Sequence, residues 1–317
     1  MREREGARAA PGSGRRPARG PAPRRGQGEG LPADRQLIVC ADDFGRAVEI
    51  NRAVEAAHRT GILTCASLMV GAPAVADALA RARALPSLKV GLHVVLVDGR
   101  PVLPPADIPD LVGADGAFAT DQLRAGIKFF FAPGVRRQLA REIRAQFEAF
   151  AATGLALDHV NAHKHMHLHP TVARLILEIG RDYGLRAMRL PREPPGPLRA
   201  AEPGSRDPLA ARLLRLWCTT LQGRLARARI RANDQIFGLA WTGAVTERRV
   251  LGLLDHLPEG VSELYCHPGD TGAPALEAEM PGYRHVEELA ALTSPAVRAR
   301  VGALGLRLIS FGDLDPS

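Results

Sequence analysis

Apolar positions along the chain fall into short runs that suit buried strands, separated by stretches with apolar residues at helical spacing. Residues 36–40 read Gln-Leu-Ile-Val-Cys and close on Ala41-Asp42-Asp43-Phe44-Gly45. Val48, Val54 and Ala57 then recur on one helical face until Gly61, a natural stop. Further strand runs lie at 63–70, 88–96, 186–190, 235–241, 261–266 and 306–311, with helical patterns at 73–85, 135–152, 170–183, 207–231, 246–256 and 286–304. The segment 97–133 breaks the rhythm. It is rich in Pro, Gly and Asp, contains Lys128-Phe129-Phe130-Phe131, and is long enough for an insertion to suggest a functional role.

One further strand is expected within residues 157–170, which hold five of the ten histidines. His163, His165, His167 and His169 alternate with Lys164, Met166 and Leu168, so in an extended strand the four imidazoles share one face. A row of neutral imidazoles suits a divalent metal. A strand soon carries same-face residues past a single ion, so one or two should bind it and the others should serve substrate or support the ligands.

Eight strands alternating with helices predict an α/β fold with parallel pairing, best read as a TIM-like barrel that is distorted or one strand short. A doubly wound open sheet is the alternative, weakened by the lack of a Gly-rich phosphate fingerprint after the first strand. The chain of 317 residues, 46% hydrophobic, is ample for one large core over 32–317. Residues 1–31 differ in kind: eight Arg against three Glu and few large apolar groups predict a disordered basic tail. That tail holds +5 of the formal +8, so the remainder is only mildly basic. It lacks the interleaved aromatics of a nucleic-acid arm and the apolar core of a signal peptide, and no nucleic-acid partner is expected. The four cysteines are scattered, which argues against disulfides and a cysteine zinc site and makes the cytoplasm the default compartment. No apolar run is long enough to span a bilayer.

In such a barrel, active residues sit at the C-terminal strand ends. Asp42 and Asp43 end the first strand, His93 the third, His163 the fourth and His267 the seventh. An Asp with two His is a usual ligand set for a catalytic metal that keeps open positions. Adjacent aspartates diverge, so one can bind metal while its neighbour takes a proton from water, with a histidine opposite to protonate a leaving amine.

The motifs Ala41-Asp42-Asp43-Phe44-Gly45, Gly91-Leu92-His93, His159-Val160-Asn161-Ala162-His163-Lys164-His165-Met166-His167 and Cys266-His267-Pro268-Gly269 resemble the YdjC-like carbohydrate deacetylase family over nearly the whole chain after the tail. The resemblance implies a TIM-barrel-like fold and hydrolysis of an N-acetyl group from an acetylated amino sugar with one divalent ion, Mg or Zn. It implies Asp43, His93 and His163 as metal ligands, Asp42 as general base and His267 as general acid. Segments 67–74, 102–112, 129–154 and 158–184 look like the hopanoid-biosynthesis-associated, HpnK-type branch, which implies N-acetylglucosaminyl bacteriohopanetetrol as substrate. Arg46-Ala47-Val48 departs from the helix start usual in that group.

Candidate substrate contacts are His165, His167 and Arg189, the last at the end of the fifth strand. The expected partner is an N-acetylated glycan or glycolipid, with a homodimer as candidate assembly. The helical pattern 207–231, apolar on one side and arginine-rich on the other, and Phe129 to Phe131 suit peripheral contact with the inner face of a membrane. Plain packing on the barrel with solvated arginines is the commoner use of such a helix. Rival activities are a soluble chito-oligosaccharide deacetylase, a metal phosphoesterase, and a metal-binding or lipid-carrier module without catalysis.

Overall fold

The longest strand, β1 (Arg35–Phe44), is buried from Leu37 onward and anchors the sheet. In the computed structural model, which describes residues 35–204, 208–271 and 274–315, its neighbours are all parallel to it. The basic segment 1–31 lies outside the described residues. On one edge β1 pairs with β6 (Gly260–Cys266) over seven residues. On the other, β2 (Cys65–Leu68) covers its upper half and β7 (Arg307–Ile309) its lower. With β3 (Lys89–Val94), β4 (Val160–Ala162) and β5 (Gln235–Phe237), the order is β4-β3-β2-β1-β6-β5, and β7 pairs with β1.

The predicted fifth strand at 186–190 is present only as isolated bridges, Val160 to Met188 and Ala187 to Arg231. These carry the sheet from β4 across to the segment entering β5, so it curls in the manner of a distorted seven-stranded TIM-like barrel. Doubly wound packing is not adopted.

Crossovers run through α1 (Val48–Thr60), α2 (Val75–Ala84), α3 (Gln122–Phe131), α4 (Pro133–Ala152), α5 (Pro170–Gly180), α6 (Pro195–Ala201), α7 (Leu209–Ala228), α8 (Glu247–Leu254), α9 (Pro274–Glu279), α10 (His285–Thr293) and α11 (Pro295–Ala303). Proline opens α4, α5, α6 and α11, where its missing N–H costs nothing. Pro295, with Ser294 accepting from the Ala296 and Val297 amides, splits the single helix expected at 286–304 into two. The 97–133 insertion contains α3, and the Pro-rich loop after residue 190 contains α6; neither helix was anticipated. Among the described residues no helix is long and apolar enough to cross a membrane.

Candidate metal centre and active site

Because the strands are parallel, their C-terminal ends share one mouth, and a cavity of about 670 Å³ opens there. Asp42, Asp43, His93, His163, His165 and His267 all line it. Strict alternation would send Asp42 and Asp43 to opposite faces of β1. Asp43 instead adopts φ 62° at a register break between Ala41 and Phe44, and this bulge turns its carboxylate into the mouth. Asp43, Asp98, Lys164 and His165 are four of the five described non-glycine residues in the left-handed region, and all four line the cavity. Such backbone costs about 1–3 kcal/mol each and persists where surrounding structure enforces it.

Three donor atoms converge. Asp43 Oδ1 lies 3.3 Å from His93 Nε2 and 3.1 Å from His163 Nδ1, and the two imidazole nitrogens are 3.4 Å apart. Ligands about 2.0–2.1 Å from one ion at tetrahedral angles stand roughly 3.3 Å apart, so the spacing suits a single cation. Both Asp43 oxygens are buried and accept no hydrogen bond; Arg46 Nη1 stands 3.8 Å from Oδ2, and among the described residues no cation is beside Oδ1 except the two imidazoles if they are protonated. A buried carboxylate left this way calls for a positive partner. Burial would push Asp43 up, yet His163 and His93 hold it well below the usual carboxylate range. The residues present therefore fit a divalent ion. A second grouping of Cys65, Asp158 and His159 lies in the barrel interior. Its atoms already have partners: Cys65 Sγ bonds the Val39 carbonyl, and Asp158 takes the Gly312 amide and His159 Nδ1.

Asp42 faces the same mouth in different company. Arg189 donates to both its oxygens, at 2.6 and 2.9 Å, and Asn161 Nδ2 donates to Oδ1 at 3.2 Å. Burial works against its ionisation, but the Arg189 guanidinium outweighs it and holds the carboxyl well below its ordinary value. Arg189 is itself fully buried and also bonds Glu263, so it orients Asp42 and has no surface to offer a sugar. The expected substrate contact at Arg189 is thus corrected.

The histidine row is corrected as well. The strand ends at Ala162, and His163 to Leu168 form a 3-10 turn in which Lys164 and His165 are left-handed, so the four imidazoles part. His163 joins Asp43, and His165 stands edge-on to the Tyr265 ring in the cavity wall. His167, fully buried, accepts the Ala162 amide through Nδ1 and does not reach the cavity. His169 packs against Phe129 and Phe130. Burial, then the nearby Arg189, brings His165 down to about 3, so it is neutral.

His267 follows β6 on the far side of the mouth, its backbone amide bonded to the buried Glu288. Its Nδ1 is buried without a partner. Burial brings the imidazole down to about 4 despite Asp43 and Asp42.

Asn161, quoted within a motif but given no role from sequence, links these groups. Its Oδ1 takes a 2.6 Å bond with His93 Nδ1, and its Nδ2 also donates to Ser67 Oγ. With Oδ1 as acceptor, His93 carries its proton on Nδ1 and turns the Nε2 lone pair toward Asp43. Asp98 and Lys164 were also missed; they pair at 2.8 Å on the rim, with Asp98 3.7 Å from His163 Nε2.

Comparison with known proteins settles the lineage. The model of the YdjC-like protein family matches residues 36–303. The chain belongs to the YdjC-like family. A carbohydrate deacetylase of Geobacillus stearothermophilus is 32% identical over 279 residues, 87% of this chain and 97% of that protein. A human carbohydrate deacetylase is 31% identical, covering 88% and 91%. A solved Enterococcus faecalis protein named for cellobiose-phosphate cleavage superposes with TM-score 0.68 at 24% identity over 88% of this chain and 98% of that one, which shows a shared fold.

Proposed function

We propose that this YdjC-like protein is a metal-dependent deacetylase that hydrolyses the N-acetyl group of an amino sugar. The observation that carries the reading is the Asp43, His93 and His163 tripod beside the Arg189-held Asp42, with His267 opposite. Curated relatives named carbohydrate deacetylase, similar over nearly their full length, support it.

In this reading Asp43, His93 and His163 hold one divalent ion, which supplies Lewis acidity and lowers the pKa of water. Two imidazoles and one carboxylate favour a zinc-like ion over magnesium, which prefers all-oxygen surroundings. Asp42, fixed by Arg189 and Asn161, accepts a proton as water attacks the amide carbon. His267 is neutral at rest. It takes a proton from solvent as negative charge builds on the former carbonyl oxygen and passes it to the nitrogen as the C–N bond breaks, while Asp42 returns its proton to solvent, leaving acetate and free amine.

Among substrates, we favour N-acetylglucosaminyl bacteriohopanetetrol. The resemblance to the hopanoid-associated branch and a cavity walled by Pro191, Leu198, Leu214, Leu239, Met280 and Pro281 support a bulky apolar aglycone. Soluble chito-oligosaccharides are the rival. The test offers both substrates and follows acetate release and loss of one acetyl by mass spectrometry. Acetate release that a chelator abolishes is expected, with faster turnover of the hopanoid. Asp42→Asn and His267→Ala should each lose about 10²–10⁴ in kcat while keeping bound metal. Release of phosphate from phosphorylated sugars in place of acetate, or wild-type turnover in both variants, contradicts the reading.

A further inference from the structure

Eleven large hydrophobic side chains are exposed among the described residues, and eight of them lie on just two helices. Leu123, Ile127, Phe130 and Phe131 project from α3, and Leu209, Leu213, Leu216 and Trp217 from α7. The two helices border one segment of chain. Gln122 Nε2 bonds the Lys164 carbonyl and Phe130 meets the His169 ring, while Arg224 Nη1 bonds the Pro170 carbonyl. Both therefore stand beside the turn that delivers His163, and α7 supplies Ala211, Leu214 and Arg215 to the cavity wall.

Their charges are one-sided. Arg124 and Lys128 lie on α3, and Arg212, Arg215, Arg224 and Arg227 on α7; neither helix contains an acidic residue. Exposed apolar groups gathered in this way mark an interaction surface. Large aliphatic and aromatic groups interleaved with Arg and Lys alone match an anionic lipid surface, where acyl chains take the former and headgroup phosphates the latter. A protein partner of mixed charge would leave that bias unexplained.

We propose that α3 and α7 form a docking surface for an anionic lipid bilayer and hold the cavity mouth beside it. The docking stands on these helices alone. That the substrate is then drawn from the same membrane rests on the glycolipid form of the deacetylase reading.

The test is co-sedimentation of the full chain with phosphatidylcholine vesicles and with phosphatidylglycerol-rich vesicles. Wild type should pellet with the anionic vesicles, remain in solution with the neutral ones, and be released by high salt. The double variant Phe131→Asp/Leu216→Asp changes two groups outside the cavity wall and should lower partitioning about a hundredfold, at about a factor of ten per buried side chain. Its turnover of a soluble N-acetylated chito-oligosaccharide should be unchanged. Wild type supplies an independent readout. Trp217 is exposed and the other tryptophan, Trp241, is buried, so anionic vesicles should shift tryptophan emission to the blue. Wild type left in solution with anionic vesicles and without an emission shift would overturn the proposal, as would equal pelleting of the double variant. A wild-type dimer in sedimentation velocity that the double variant dissolves would overturn it too, assigning the surface to a second copy of the chain. Loss of docking and loss of deacetylation are read in separate assays, so either idea can fail alone.

Discussion

Asp42 and Asp43 are chemically identical neighbours with different surroundings. Arg189 and Asn161 occupy both oxygens of Asp42, whereas Asp43 accepts no hydrogen bond and meets two imidazoles at Oδ1 and the Arg46 guanidinium 3.8 Å from Oδ2. The divergence could be read from their adjacency; the bulge and the buried arginine that enforce it could not. A fully buried Arg is rare, so residue type pointed Arg189 toward the surface. Asn161 is the residue whose role was hidden, since an amide between two histidines advertises no chemistry. If its Oδ1 fixes the His93 tautomer, Asn161→Ala should weaken zinc affinity by about 10–100-fold. Competition with a chromophoric chelator measures this, and an unchanged affinity would show that His93 needs no orienting partner.

At the scale of elements, the His159 side chain at the entrance to β4 lies over Gly91 of β3, so that position admits no side chain. A Cβ on Gly91 would stand 2.5 Å from the His159 ring, which is stacked on Phe311 and hydrogen-bonded to Ser67 and Asp158. The ring has no free direction in which to move. Gly91→Ala should therefore cost about 1–3 kcal/mol, read as a lower urea midpoint. Wild-type stability in that variant would mean that β3 and β4 separate easily. Strand and helix positions were otherwise largely legible from apolar spacing, and two of the failures are instructive. Period-two histidines suit a strand, but spacing alone does not distinguish an extended run from a turn that uses left-handed Lys164 and His165. Helix α3 was hidden because Pro, Gly and Asp dominate the residues before it.

For the molecule as a whole, parallel strands explain why stretches far apart in the chain meet: every strand ends at one mouth. That rule makes the cavity residues legible in the sequence. It gives no hint of the polar chain below them, from Asn161 through Ser67 and His159 to Asp158. Burial alone would push the His159 imidazole down, but Cys40 and Asp158 reverse this and take it up to about 10. A value raised above the ordinary 6.5 means that the folded state holds the proton more tightly. The stabilisation is then complete below about pH 6.5 and disappears as pH rises through about 10. Urea unfolding across this window should show a falling midpoint for wild type and a flatter profile for His159→Gln; parallel profiles would remove His159 from the pH response.

The central claim is that one ion sits on Asp43, His93 and His163. Its most direct measurement is metal content by mass spectrometry after zinc loading and exhaustive dialysis, with wild type beside Asp43→Ala, His93→Ala and His163→Ala. One zinc per chain in wild type, lost in all three folded variants, is the predicted result. Wild-type zinc content in any of the three would contradict the account.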